Sequence, residues 1–379
     1  MTAGQTRSQL RQLNEANLLV TLNFALASLH SGPMLGVMIR RILLACALTS
    51  AATAPGIAAD PRGRLQAACF PAETLAGDPA ERLRVKLERP SVLSVPAGIG
   101  TPLPPVAEHL HGVIRRVELP PGSKKLVALT FDFCEQSQEL AGYDGAIIDV
   151  LRREGVKATL FMGGRWMASH PARTGQLLAD PLFQFGTHGL AHRNTRGLTG
   201  ADLQREIVAP NAVYAQARAK LAAYQCALPH GAAFQAIPPA PNLFRFPFGA
   251  CAPEGLATAN EAGLLAIQWD VSTGDPAPTA TAQDIARAMT ERARPGSIII
   301  AHANGRGQQT AAALPIAIAG LRARGFQFVT VGELLAAGRP VVVPTCYDAK
   351  PGDTDKYDAL LARPAVPQHL PWTTHILFN

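Results

Sequence analysis

From residue 126 onward the chain alternates short apolar runs with amphipathic stretches. Leu126-Val127-Ala128-Leu129-Thr130-Phe131 is almost continuously apolar, as expected of a strand buried on both faces of a parallel sheet. Over 144–154, Ile147, Ile148 and Leu151 fall on one side of a helix, and Gly155 is suited to end it. Ala158-Thr159-Leu160-Phe161 predicts the next strand, and 183–187, 243–246, 264–271, 297–301 and 326–331 predict five more. Further helices are predicted over 203–223, 285–293 and 311–324. Seven strand–helix repeats argue for a parallel sheet, and that count suits a closed or nearly closed barrel. A doubly wound open sheet is the competing architecture. No G-x-G-x-x-G follows the first strand, which argues against its dinucleotide-binding form.

The flanks read differently. Residues 60–123 are proline-rich and weakly periodic, with short strands expected at 85–87 and 113–117, and Pro120-Pro121-Gly122-Ser123 is a clear break. This segment is expected to pack on the main domain, 124–337, as an N-terminal extension. Residues 338–379 are punctuated by Pro340, Pro344, Pro351, Pro364, Pro367 and Pro371 and predict an irregular C-terminal tail pinned by Cys346. Near the start, Arg40-Arg41 precede Ile42-Leu43-Leu44-Ala45-Cys46-Ala47-Leu48, and small residues run to Gly56-Ile57-Ala58-Ala59. That order is a signal peptide over 38–59, within an upstream segment 1–59, and predicts a periplasmic or secreted protein. Residues 1–33 exceed what such a signal needs, which points to Met34 or Met38 as the start. The apolar run is too short to span a bilayer, so no stable membrane insertion is expected after cleavage.

Composition narrows the classes. The 379 residues are 47% hydrophobic and 17% charged, consistent with a sizeable core. Net charge is +7, but no basic cluster is interleaved with aromatics, so nucleic acid is not an expected partner. Six cysteines are present; loss of the signal removes Cys46, leaving enough for two disulfides and one free thiol in an oxidising compartment. Their spacing assigns no pairs, and no C-x-x-C zinc motif exists.

Chemistry-bearing side chains collect at strand C-termini, where the loops of a barrel converge. Asp132 follows the first strand, His188 the third, Arg245 ends the fourth, Asp270 and Asp275 follow the fifth, and His302 follows the sixth. His188 and His192 are four apart; in a helical turn both imidazoles would project together and could bind zinc or a similar cation. Taken singly, either is as readily a cap or a surface residue. His302 ends the apolar run Ile298-Ile299-Ile300-Ala301, an apt place for a general acid or for a satisfied core histidine. Asp132 could be a general base, a metal ligand, or the N-cap of the following helix.

The order of these motifs resembles the polysaccharide deacetylase family, the NodB-type carbohydrate esterases, from about Lys125 to Leu335. Thr130-Phe131-Asp132-Phe133-Cys134 resembles the family's T-F-D-D-G; His188 to His192 matches its H-S/T-x-x-H, with Gly189 for the hydroxyl residue. Arg245-Phe246-Pro247-Phe248-Gly249 resembles R-x-P-Y/F-G, Ser272-Thr273-Gly274-Asp275-Pro276 resembles D-S/T-x-D-W, and Ile300-Ala301-His302 resembles the final L-x-H. The resemblance implies an α/β fold, a partial (β/α)7 barrel of the glycoside hydrolase/deacetylase type. It implies a hydrolase removing acetyl groups, from an amide or an ester, on an envelope polysaccharide or oligosaccharide. Asp132 would be the base, His302 the acid and Arg245 the residue that orients Asp132. His188 and His192 would hold a divalent metal such as zinc or cobalt, and Phe248 and Ile300 would wall the acetyl pocket.

Several positions depart from that pattern. Phe133 stands where the family has its second aspartate, a metal ligand, and a phenyl ring cannot coordinate. Glu135 or Asp132 is left to complete the ligand set. Ser272 replaces the aspartate that supports the catalytic histidine, leaving Asp270 or Asp275 for that role, and Pro276 replaces a tryptophan. Cys134 replaces a glycine and Cys251 follows the Arg245 motif closely, which leads to the expectation of a Cys134–Cys251 disulfide across the barrel mouth. Residues 224–241 are expected to lie over the cleft. Two other readings stay open: a metal-independent amide hydrolase of the same fold, and a glycan-binding pseudoenzyme. The last needs exposed aromatics, and Trp166 and Trp269 are its few candidates.

Overall fold

A computed structural model describes residues 60–96, 101–348 and 350–360, so the predicted signal peptide over 38–59 lies outside the described residues. In chain order the strands are β1 (Val85–Lys86), β2 (Val113–Glu118), β3 (Lys125–Phe133), β4 (Glu139–Leu140), β5 (Ala158–Met162) and β6 (Phe183–Thr187). They continue as β7 (Leu243–Phe244), β8 (Leu265–Ile267), β9 (Val271–Ser272), β10 (Ile298–His302), β11 (Phe326–Phe328) and β12 (Arg339–Val343). β3 was legible because it is apolar on both faces. Its side chains alternate: Leu129, Phe131 and Phe133 enter the main core beneath the helices, while Ala128 joins an inner cluster with Ile298, Phe161 and Ile267.

The main sheet runs β12-β2-β8-β7-β6-β5-β3-β10-β9, with β11 added to the start of β3. All neighbours are parallel except β12 against β2. β8 and β9 sit toward opposite ends of that order, yet only residues 268–270 separate them. The sheet therefore curls round until one passage of chain bridges its two sides. Gln268 donates its N–H to Ile114 O, Asp270 donates to Ile298 O, and Arg116 bridges to Ser297 across the seam. This is a partial (β/α) barrel, and the doubly wound alternative is excluded.

Several expectations are corrected. The helix expected over 203–223 is two helices, Gly200–Val208 and Pro210–Ala222. Pro210 has no N–H to continue the first, but it is well placed to begin the second. Residues 60–123 are not merely an extension, since β2 belongs to the sheet. The tail is not simply irregular: β12 pairs with β2. Residues 224–241 do not cover the cleft. Short helical turns there pack on helix Pro61–Cys69, with Ala227, Ala233 and Ile237 in the outer core.

The Cys134–Cys251 disulfide does not form. Cys69 pairs with Cys226 and Cys251 with Cys346, leaving Cys134 as the free thiol among the described residues. The reason is position: Cys251 lies beside Cys346 in the apolar cluster under helix Pro253–Glu261, whereas Cys134 sits among buried histidines.

Candidate active site

Strand register builds the centre of the site. Asp132 and His302 are Cα partners on adjacent parallel strands β3 and β10, so both side chains leave the same face of the barrel mouth. Asp132 is almost fully buried, whereas His302 keeps 16% of its side chain exposed. Ile300, two residues earlier, shares the face of His302 and is nearly buried.

Arg245 follows β7 and is wholly buried. Its Nη1 donates to Asp132 Oδ1 at 2.7 Å and to Thr130 Oγ1 at 2.8 Å, and Nε and Nη2 donate to the carbonyls of Ile267 and Gln268. The guanidinium lies 4.0 Å from the centroid of the Phe161 ring. Each hydrogen-bonding nitrogen is therefore satisfied, which makes a buried charge tolerable and locks the Asp132 carboxylate. Thr130 was visible in the sequence only as the first residue of the Thr130–Cys134 motif, with no role assigned to it.

His302 is held by Asp275, not Asp270. Its Nδ1 donates to Asp275 Oδ1 at 2.9 Å and its backbone N–H to Oδ2 at 2.8 Å. Thr273 and Thr310 donate hydroxyls to the same carboxylate. Asp270 faces the start of β10, accepting from Ser297, Ile298 N and Arg294. Burial disfavours the imidazolium of His302, but the Asp275 carboxylate, with Cys134 assisting, outweighs it and holds the pKa well above the ordinary histidine value.

His188 and His192 do come together, though not on a helix. The segment after β6 is an irregular turn in which Gly189 and His192 both adopt positive φ, +74° and +49°. The imidazole centroids are 4.9 Å apart. His188 Nδ1 donates to Arg245 O at 2.9 Å, which turns Nε2 inward, 3.5 Å from Asp132 Oδ2. A residue sequence reasoning missed, Glu206, clamps this turn: its buried carboxylate accepts from Ala191 N and Arg193 N at 2.9–3.2 Å. Burial pushes the Glu206 carboxyl up to about 7, against the pull of those two N–H groups. A lone glutamate on an amphipathic helix carries no local mark of such a task.

The ligand set differs from expectation. Phe133 faces the outer core, its ring 4.5 Å from that of Trp166. Glu135 is also turned away, accepting from Ala141 N and Ser169 Oγ. Among the described residues, the group close enough to share one ion is Cys134, His188 and His192, whose ligand atoms all lie within 4.8 Å of one another. Asp132 is not in that group; its Oδ1 is committed to Arg245. Histidine nitrogens and a thiol are donors that zinc and cobalt accept, so these residues fit a divalent cation. His192 Nδ1 is moreover buried with no hydrogen-bond partner. Burial resists ionisation of the Cys134 thiol, but His192 and His188 prevail and hold its pKa well below the ordinary value.

Phe248, in a positive-φ turn, stacks edge-on over His192 at 4.4 Å and neighbours Tyr357 at 5.5 Å. The C-terminal segment thus borders the site: Asp358 accepts from Asn194 and Arg196. Of the two candidate tryptophans, Trp166 offers no glycan platform and Trp269 is half-buried. Trp166 is fully buried, with Nε1 donating to Gly142 O, and Trp269 packs among the inner apolar residues.

Residues 120–267 match the polysaccharide deacetylase family. The chain is similar to a peptidoglycan-N-acetylglucosamine deacetylase of Bacillus cereus, 28% identical over 218 residues, covering 57% of this chain and 90% of that protein. It is similar also to a chitooligosaccharide deacetylase of Azorhizobium caulinodans, 28% identical over 194 residues, covering 48% of this chain and 82% of that one. A crystallised peptidoglycan N-acetylglucosamine deacetylase aligns with a TM-score of 0.49 at 24% identity, over 61% of this chain and 96% of the other.

Proposed function

Because this chain is a member of the polysaccharide deacetylase family, we propose that it hydrolyses acetyl groups from amino sugars of an envelope glycan or a chitin-like oligosaccharide. The observation that carries the reading is the pairing of Asp132 with His302 as register neighbours, each braced by its own buried partner, Arg245 or Asp275. Asp132 takes the proton from the attacking water. His302 gives a proton to the leaving nitrogen, and Asp275 keeps Nδ1 engaged so that Nε2 faces the reaction. A divalent cation held by His188, His192 and a third donor would polarise the acetyl carbonyl. Phe248 and Ile300 border the space left for the acetyl methyl. The likeness to peptidoglycan and chitooligosaccharide deacetylases supports the substrate class, and the braced pair of Asp132 and His302 favours a hydrolase over a glycan-binding module.

The test is acetate release from N-acetylglucosamine oligomers and from peptidoglycan by the full chain, before and after chelation and on adding zinc or cobalt. Acetate with matching new amines, lost on chelation and restored by metal, is expected. Acetate without new amines would move the reaction to an ester. No acetate under any condition would overturn the proposal.

The role of His302 makes a pH prediction. Its pKa is raised in the folded state, so the pair with Asp275 stabilises the protein below the ordinary histidine value, and that contribution is lost as pH rises through the raised value. In Asp275→Asn the lowering effect of burial is unopposed by the carboxylate. We expect kcat to fall by about 10²-fold and the alkaline limb of its pH profile to move to lower pH. An unmoved limb in an active variant would remove His302 as the acid.

The two disulfides, Cys69–Cys226 and Cys251–Cys346, support a working place outside the reducing cytoplasm, in keeping with a leader over 38–59. N-terminal sequencing of protein from the periplasm or medium tests this, and intact leader confined to the cytoplasm would refute it.

A further inference from the structure

We infer that Cys134 is the third protein ligand of the metal centre, so that this chain carries a thiolate and two imidazoles where its relatives' pattern has a carboxylate and two imidazoles. The inference deepens the metal-assisted reading above and rests on it.

Three independent observations lead there. First, the end of β3 puts the cysteine in the right place. Along β3, Thr130 and Asp132 face the barrel mouth and Phe131 and Phe133 face the outer core. Cys134 lies one residue past the end of β3, and its Sγ is grouped with the ring nitrogens of His188 and His192. The side chain that can reach the histidines is thus Cys134, while Phe133 fills the outer core against Trp166. Phe133, at the position of the family pattern's aspartate, offers no donor, and the donor beside the two histidines is Cys134, one residue on. Asn304 Nδ2, donating to Cys134 O at 2.6 Å, helps to fix the backbone there.

Second, the spacing suits a small cation. With metal–sulfur near 2.3 Å and metal–nitrogen near 2.0 Å, tetrahedral ligand atoms sit roughly 3.3–3.6 Å apart. Here they lie within 4.8 Å of one another, so side-chain adjustments on the order of an ångström bring them onto one ion. His188 already has its outward nitrogen engaged by a carbonyl, the usual brace of a metal-bound histidine.

Third, Cys134 is the odd thiol of a disulfide-bonded protein. The other four described cysteines are paired, and Cys134 is buried against His188 and His192. An unpaired thiol in an oxidising compartment is a liability. Coordination would occupy it. The chemical consequence is selectivity: a thiolate shifts the site toward zinc and cobalt and away from magnesium, calcium and manganese.

The experiment is spectroscopic and uses the oxidised full chain. Metal is removed by chelation and cobalt(II) is titrated back while absorption is recorded. The expected result is one equivalent of cobalt bound, with a near-ultraviolet sulfur-to-cobalt charge-transfer band rising in step with the visible bands. In Cys134→Ser that band is absent and cobalt affinity is reduced by about 10²-fold or more. In Cys134→Asp cobalt binds without the band. Alkylation is read in parallel at the peptide containing Cys134: the metal-free protein is labelled and the zinc-loaded protein is protected. Cobalt bound with no charge-transfer band in the unmutated chain, or equal affinity in Cys134→Ser, overturns the inference; persisting acetate release would then leave the deacetylase reading intact. The band without acetate release from any glycan supports the ligation and overturns the activity instead. A Cys134 acetyl thioester trapped during turnover also overturns it, since the thiol would then be a nucleophile beside His302.

Discussion

Replacing Asp132 with asparagine is expected to lower kcat for acetyl hydrolysis by about 10³-fold, within the range that a positioned base contributes, with little change in KM. The amide keeps the size of the carboxylate, and its oxygen can still accept from Arg245 Nη1, which now spans 2.7 Å to Asp132 Oδ1. What is lost is proton affinity. Because the Cys134, His188 and His192 ligand atoms form a group without Asp132, metal content should be preserved in the variant. That separates a base from a ligand. Loss of metal together with activity would return Asp132 to the ligand set, and activity within tenfold of the parent would end its role as base.

Arg245→Met is the second large effect, and here stability changes as well as rate. The side chain is wholly buried, and it donates to Asp132, Thr130 and the carbonyls of Ile267 and Gln268. Its loss strands a buried carboxylate and leaves those acceptors without a donor. Breaking a buried ion pair from one side costs about 3–5 kcal/mol, so the denaturation midpoint should fall sharply. Whatever folds should turn over slowly, because Asp132 is no longer held. Arg245→Lys should recover part of the stability and little of the rate: an ammonium restores the charge but not the planar fork that meets several acceptors at once. A methionine variant as stable as the parent would show that the pair does not brace the barrel mouth.

The legible part of the site was the part written at strand ends. Asp132, His188, Arg245 and His302 each follow an apolar run, and a parallel barrel gathers such residues whatever its loops do. Asp275 could be narrowed only to a pair with Asp270. The deciding fact is that Asp270 lies at the opening end of β10 and Asp275 at its close, a matter of register between strands more than twenty residues apart. The histidine pair was identified by its spacing, but its geometry was left to the structure, since a helical turn and the positive-φ turn clamped by Glu206 both bring the rings together. Cys134 was visible as an oddity and put to the wrong use. Its place one residue past the end of β3, beside His188 and His192, was decided by the fold.

The sequence by itself determined a parallel α/β sheet, because strands apolar on both faces, separated by amphipathic helices, must be covered on both sides; the curl into a barrel was decided by the passage from β8 to β9 across the seam. The sequence also determined which chemical groups crowd the mouth, because their places at strand ends are local facts. Only the tertiary structure decided the partners. The pairing of Cys69 with Cys226 and Cys251 with Cys346, the brace of Glu206, the choice of Asp275, and the meeting of Cys134 with His188 and His192 all join residues remote in sequence. Such contacts depend on how the sheet curls and where each loop returns, and no local periodicity encodes that.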